Sequence, residues 1–250
     1  MIQDIPKNHP RYHSLQIRKK LSDAMKRGLV HETGLIAHGR GEAFDYMLGE
    51  QTIDAADHAE KVGAAALLLA KKPVISVNGN VVALVAKDCI NLAKQVSGLI
   101  EVNLFHRTKE RITGLVEEMK QYDDVNILGA DASVRIPGLS HDRGWCEKDG
   151  IFSADVILVP LEDGDRCQAL KKMGKTVITI DLNPLSRTAK TADITIVDNV
   201  IRALPSLISW VHQLKSESKI ILDDLVEQWD NQRTLIDACQ FMSQKLNQMD

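Results

Sequence analysis

The sequence predicts an α/β fold: a buried, mostly parallel sheet flanked by helices, with a helical N-terminal region and a long C-terminal helix. Three observations carry this. Short apolar, β-branched runs alternate with helix-length amphipathic stretches between residues 73 and 215, the pattern of βαβ units. The runs end in polar turn formers, such as Asn78-Gly79-Asn80 and Asp181-Leu182-Asn183-Pro184. The first seventy residues and the last thirty carry helical spacing instead.

Taken in order, Leu15, Arg18, Lys19, Leu21, Ser22 and Met25 predict a helix closing at Gly28. Ala55, Ala59, Val62, Ala66 and Leu69 predict a second over 52–72, stopped by Pro73. Strands follow at 74–77, 99–105 and 125–128, with helices at 81–96 and 108–122, the latter capped by Thr108. The irregular stretch 129–150 is read as a site loop, because loops of this length are usually functional or disordered. Strands at 154–160, 176–180 and 192–197 and helices at 164–173 and 200–214 complete the core, so five or six strands are expected. Residues 220–246 read as one long amphipathic helix, with Leu222, Leu225, Trp229, Ile236, Cys239 and Leu246 on one face. That face either packs on its own chain or reaches a second copy. No linker or repeat interrupts the chain. It is read as a single domain over 1–250, with a helical part (1–72), an α/β core (73–215) and a C-terminal helix (216–250).

Composition excludes several classes. The 250 residues are 44 % hydrophobic and 26 % charged, ordinary for a globular protein. Aromatics are only 4 %, which argues against base stacking as the main task. A net charge of −3 excludes a globally basic nucleic-acid coat or a polybasic membrane binder. There is no apolar run long enough for a membrane span and no signal-peptide core after Met1, so a cytoplasmic protein is expected. Cys89, Cys146, Cys167 and Cys239 form no Cys-x-x-Cys pair and read as buried thiols. The eight histidines form no zinc motif.

In open α/β sheets ligands sit beyond the carboxyl ends of the strands. Those ends are Asn78–Asn80, Asn103–Thr108, Gly129–Asp131, Pro160–Gly164, Asp181–Thr188 and Asp198-Asn199. Asn, Asp and Gly also make plain turns and caps; six polar ends together favour a binding rim. Asp181 can bind a ribose hydroxyl, Arg187 a phosphate, and Thr188 can cap a helix or hold phosphate oxygens. Neither a P-loop nor a complete G-x-G-x-x-G is present. In the segment 34–46, Gly39 and Gly41 flank Arg40, suggesting a glycine-rich turn with a planar fork for phosphate or carboxylate; a helix opening at Gly41 would place Glu42 and Asp45 on one face. A plain turn before a helix is the alternative. The segment 5–12, with Lys7, His9 and Arg11 between prolines, reads either as a rigid pocket entry or as a frayed terminus. Asp131, Asp142 and Asp149 can hold Mg²⁺ beside phosphates or simply face solvent.

The blocks Pro6-Lys-Asn-His-Pro-Arg11-Tyr12, His38-Gly-Arg-Gly-Glu-Ala-Phe-Asp-Tyr46 and Asp181-Leu-Asn-Pro-Leu-Ser-Arg-Thr188, in this order, resemble the archaeal phosphopantothenate synthetase family, the 4-phosphopantoate–β-alanine ligases. The resemblance covers nearly the whole chain. It implies a Rossmann-like fold, a homodimer, and condensation of 4-phosphopantoate with β-alanine using ATP and Mg²⁺. The products would be 4′-phosphopantothenate, AMP and diphosphate, a step toward coenzyme A. It also implies ATP contacts at Arg18, Arg40, Asp181, Leu182, Asn183, Arg187, Thr188, Asp198 and Asn199.

Several negative charges in one pocket of an acidic protein need local cations, which the turns supply as Arg11, Arg18, Arg40, Arg107, Arg135, Arg143, Arg187 and Arg202. Catalytic roles are expected of Arg40, His38 and His106, with Arg40 and Arg187 on phosphate charge and His38, His106, His141 or an acid taking the ammonium proton. Substrate binding is expected of Lys7, His9, Arg11, Arg107, Asp131, Arg135, His141 and Arg143. Competing readings are an ADP-forming acyl-phosphate ligase, an NAD(P)-dependent reductase, and a non-catalytic nucleotide or phosphosugar sensor.

Overall fold

The computed structural model describes residues 6–9, 11–123, 125–161 and 163–248. Ile5, Pro10 and Glu162, which belong to segments singled out above, lie outside the described residues. Three helices come first: α1 (Tyr12–Lys26), α2 (Glu32–Leu48) and α3 (Asp54–Leu69). The alternating region runs β1 (Pro73–Val77), α4 (Gly79–Gln95), β2 (Leu99–Val102), α5 (Lys109–Lys120) and β3 (Ile127–Leu128). A small hairpin of β4 (Val134–Arg135) and β5 (Trp145–Cys146) follows. Then come β6 (Val156–Pro160), α6 (Gly164–Lys172), β7 (Thr176–Ile180), α7 (Arg187–Thr191), β8 (Ile194–Ile196) and α8 (Val200–Leu214). The chain closes with α9 (Lys219–Glu227) and α10 (Asn231–Asn247).

The main sheet has six parallel strands in the order β3-β2-β1-β6-β7-β8. This is the doubly wound, Rossmann-like order, whose direction reverses between β1 and β6 and opens a crevice there. Both faces are covered, which is why the strands read as unbroken apolar runs. Ile75, Val77, Ile100, Leu158 and Ile178 pack with α3, α4, α5 and α8; Val74, Ile157, Val159 and Val177 pack under α6 and the hairpin. Among the described residues no helix is long and apolar enough to cross a membrane.

Three expectations are corrected. The segment around Gly39 and Gly41 is not a turn, and no helix opens at Gly41: both glycines lie inside α2, which starts at Glu32. Tertiary packing overrides glycine's poor helix propensity. A Cβ at Gly34 would fall 2.5 Å from the Asn80 side-chain oxygen, and one at Gly41 3.4 Å from Leu182. The tail is not one helix. Asp230 accepts from the Arg233 amide at 3.0 Å and starts α10 afresh. The break lets Trp229 donate to the Asp193 carbonyl at 2.8 Å, while Asn231 accepts from the Thr195 amide on β8 at 2.8 Å. Thus α9 lies on α3, and α10 on α2, α3 and α7 of the same chain. The stretch 129–150, read as a site loop, is instead ordered largely as a hairpin with helical turns, and of its residues only Arg143 is in the lining of the main cleft described below. Buried Glu101 accepts from the Glu147 and Ile151 amides at 2.9 and 2.7 Å, and Arg135 lies 4.7 Å over the Trp145 ring.

Gly34→Ala should lower stability by about 1–3 kcal/mol through overpacking against Asn80. Gly39, with nothing within 4 Å of its missing Cβ, should instead gain up to about 1 kcal/mol as alanine. Thermal unfolding of the two variants reads these opposite signs.

Glu60 of α3 is fully buried and accepts from Ser206 of α8 at 2.5 Å; its other oxygen has no partner. Burial pushes its carboxyl up to about 8. The folded protein therefore keeps a proton that the unfolded chain releases near 4.5. Stability is highest below that lower value and falls as pH rises toward 8. Glu101, raised by burial to about 7, acts in the same sense. Melting curves between pH 5 and 9 should decline less for Glu60→Gln than for the wild type; parallel curves would clear Glu60 of the effect.

Candidate active site

The carboxyl ends of β1, β2, β6, β7 and β8 border one cleft of about 870 Å³, reached through Asn78, Leu104, Leu161, Asp181 and Asp198. Its opposite wall is α2. Gly34, His38 and Gly41 recur at four- and three-residue spacing, so one face of that helix meets the cleft. The wall is fixed at Gly34, whose carbonyl accepts from the Asn80 amide group at 2.8 Å.

At the switch point Asn78 caps α4 by accepting from the Val81 amide at 3.2 Å, and donates to the Leu161 carbonyl at 3.2 Å. Leu161 sits at φ 61°, in the left-handed region. Such strain in a non-glycine residue persists where surrounding contacts enforce it, often at ligand clamps. The free amides at the start of α4 border the cleft beside it, the usual seat of a pyrophosphate.

After β7, Asp181 organises a tight turn. Its carboxylate accepts from the Asn183 amide at 2.9 Å and from the Ser186 hydroxyl at 2.5 Å; that hydroxyl caps α7 by accepting from the Ala189 amide at 2.9 Å. Burial raises the Asp181 carboxyl, while Ser186, Asn183 and the charge of Arg40 pull it down. Arg40 itself is exposed on α2 and hydrogen-bonds to no other described residue. His38 is half-buried in the same wall; burial lowers its pKa below 6.5, Glu42 opposes this and Arg18 adds to it.

After β8 the polar groups are spent on structure. Arg202 of α8 reaches Asp45 of α2 and Asp198, both at 2.5 Å. Asn199 donates to Asp45 at 2.8 Å and Thr52 to Asp198 at 2.6 Å. This clasp ties α2 to the end of the sheet.

The cleft brings together His38, Arg40, His106, Arg143 and Thr188, with Asp181, Leu182, Asn183, Asp198 and Asn199. Arg187 lies against Gly164, immediately beside it. Arg143 is buried and paired with Asp163 at 2.7 Å. The remaining expected residues are not among its lining. Arg18 forks onto Glu42, and Arg11 donates to Tyr46 at 3.2 Å, both on exposed sides of the helices. Lys7 and His9 are exposed ahead of α1, where His9 accepts from the Arg11 amide. Arg107 donates to the Gly129 carbonyl, and Asp131 takes up Glu147 through its amide. Arg135 is held by the carbonyls of Leu139 and His141, and His141 pairs with Asp165 at 3.0 Å.

Two ionisable lining residues escaped the reading of the sequence: His31 and Arg111. Arg111 stands in the first turn of α5, where its amide is held by Thr108. Extending the strand-end search by one helical turn finds it. His31 caps α2 by accepting from the Thr33 amide at 3.3 Å; histidine is not a usual cap, so no local signal marks it.

A family profile described as phosphopantothenate/pantothenate synthetase matches residues 55–245. The chain is 51 % identical over 247 residues to the 4-phosphopantoate–β-alanine ligase of Thermococcus kodakarensis, covering 98 % of this chain and 95 % of that protein. It is 50 % identical over 246 residues to the enzyme of the same name from Methanosarcina mazei, covering 98 % and 97 %. For the one from Methanospirillum hungatei the figures are 52 % over 213 residues, 85 % and 87 %. The doubly wound sheet, the cleft at its switch point and near-full-length identity agree, and this chain belongs to the phosphopantothenate/pantothenate synthetase family.

Proposed function

We propose that this protein is an ATP-dependent ligase that condenses 4-phosphopantoate with β-alanine to 4′-phosphopantothenate, releasing AMP and diphosphate, on the route to coenzyme A. The observation that carries the reading is the single cleft in which the start of α4, the Asp181 turn, Arg40 and His38 face one another. It offers amides for phosphates, a carboxylate for a ribose, an unpaired guanidinium and a neutral imidazole within one enclosure. The chain acts as one domain, as a homodimer, in the cytoplasm.

A carboxylate cannot expel an oxide, so the acid is activated first. Its oxygen attacks the α-phosphorus of ATP, the bond to the β-phosphate oxygen breaks, and diphosphate leaves. Arg40 and Arg187 stabilise the charge that develops on the phosphates. The amine of β-alanine then attacks the acyl carbon, and the C–O bond to AMP breaks. His38, held neutral by burial, accepts the proton that the ammonium must lose, with His106 as the alternative acceptor in the lining. Among the described residues no three His, Cys, Asp or Glu side chains gather as a metal cage; Mg²⁺ would enter with the nucleotide and would offset phosphate charge.

Product analysis tests the reading. Purified protein is mixed with ATP, Mg²⁺, 4-phosphopantoate and β-alanine, leaving out one at a time. Phosphopantothenate with equimolar AMP is expected. ADP in place of AMP would replace the adenylate by an acyl phosphate, and ATP binding without product would leave a nucleotide sensor.

A further inference from the structure

We infer that Asp45 is a positioning residue: it holds the wall that carries His38 and Arg40 at its working distance from the strand ends. The inference rests on the ligase reading above and deepens it, adding a residue that lies outside the cleft lining.

Apolar packing holds α2 weakly. Of its 17 residues only Asp45 and Leu48 are buried. Two residues on its cleft side, Gly34 and Gly41, have no side chain to interlock with a neighbour. Hydrophobic burial is non-directional, so a helix seated by so few groups can slide or roll. Hydrogen bonds are directional, and they hold α2 at two points. In its first turn the Gly34 carbonyl accepts from the Asn80 side chain at 2.8 Å, at the start of α4. Three turns later Asp45 accepts from the Asn199 side-chain amide at 2.8 Å and from the two terminal nitrogens of Arg202 at 3.3 and 2.5 Å, at the start of α8. Gly34, His38, Gly41 and Asp45 follow one another at spacings of four, three and four, so the second pin continues the face that walls the cleft. The pins are about 16 Å apart along the helix, and His38, Arg40 and Gly41 stand between them.

Stability alone does not explain a carboxylate at this position. Asp45 is buried and shares one guanidinium with buried Asp198. The desolvation of such charges can exceed the attraction they gain, and apolar residues of similar volume often serve as well. What the charges add is a fixed geometry. Thr52 holds Asp198 from the other side at 2.6 Å, so Arg202 joins a point on α2 to a point on the cleft rim. Asn199 is held at three groups: its backbone N–H by Asp198, its side-chain amide by Asp45, and its side-chain oxygen by the Ile201 amide. Asp198 and Asn199 both line the cleft. Arg40 stands five residues before Asp45, about 7–8 Å along the helix. It hydrogen-bonds to no other described residue, yet its charge acts on Asp181 at the end of β7. Its guanidinium is therefore aimed by the helix that carries it, and Asp45 sets that helix against the ends of β7 and β8.

The test is a double-mutant cycle on kcat with all substrates saturating. Asp45→Ala is expected to lower kcat at least tenfold in the otherwise wild-type protein, at a temperature well below the melting of either. In the Arg40→Ala background the same change is expected to lower kcat by a factor at least threefold smaller, because the group it aims is gone. Asp45→Asn keeps an acceptor but not the charge, and should show the same non-additivity with a smaller loss. A residue that only stabilised the fold would lower kcat by one factor in both backgrounds. Equal factors, or an unchanged kcat in the Asp45 variants, overturn the inference. If Asp45→Ala fails to fold, Asp45→Asn decides by the same cycle. If the wild type makes no phosphopantothenate, the ligase reading fails separately. The Kd for ATP, read by calorimetry, then replaces kcat in the cycle: non-additive losses support the inference, and multiplicative losses, or no ATP binding by the wild type, overturn it.

Discussion

Replacing Arg202 by methionine is expected to lower the unfolding free energy by about 3–5 kcal/mol, the usual effect of removing one partner from a buried ion pair. Methionine retains much of the apolar stem, so the loss reports charge more than packing. Asp45 and Asp198 have side chains only 6 % and 0 % exposed, and each lies 2.5 Å from the guanidinium. Without it, two carboxylates share a dry site. Burial already raises the Asp198 carboxyl against the pull of Arg202, and the variant raises it further. A folded pKa above the unfolded one means stability is lost as pH rises, so the defect should be larger at pH 8 than at pH 5. At about 2–4 °C per kcal/mol the melting temperature should drop by roughly 6–20 °C. Adding Asp45→Asn and Asp198→Asn should restore much of it. A drop of a degree or less, equal at both pH values, would show that the clasp carries little stability.

Arg40→Ala should leave the fold intact and reduce kcat by about 10²–10³-fold, the range for losing one donor that acts on transition-state charge. The side chain is exposed, spends no hydrogen bond on the fold, and influences Asp181 across the mouth of the cleft. Melting within a degree of the wild type, together with collapsed turnover, is the expected pair of results. Near-normal turnover removes Arg40 from the chemistry. The same assay reads His38. Burial holds its pKa below 6.5, so the acid limb of kcat should fall below that pH and disappear in His38→Gln.

The sheet was legible because its strands are buried on both faces, and each apolar run, such as Val156–Pro160, stands between turn formers. The strand-end rule likewise pointed to the Asp181 turn. What escaped depends on contacts distant in sequence. α2 has weak amphipathic patterning because one side of it faces a polar cleft and another faces solvent; its glycines look like a turn until Asn80 and Leu182 are placed against them. The break at Trp229–Asp230 is enforced by partners on β8, thirty-odd residues upstream, and no local pattern reports them. Asp198 shows a contact the sequence does not report: it lines the cleft, and its oxygens also accept from Arg202, Thr52 and the Asn199 amide.

Asn231 has a consequence for how the chain is made. It occupies a hydrogen-bonding position of β8 by accepting from the Thr195 amide, and it ties that strand to α7 by donating to the carbonyls of Ala189 and Ala192. β8 is the last strand of the sheet, and an open edge of apolar backbone recruits strands from other chains. During synthesis β8 leaves the ribosome well before Asn231 does. For that interval the nascent protein carries a sticky margin, and its vulnerability to aggregation is set by how soon the tail arrives.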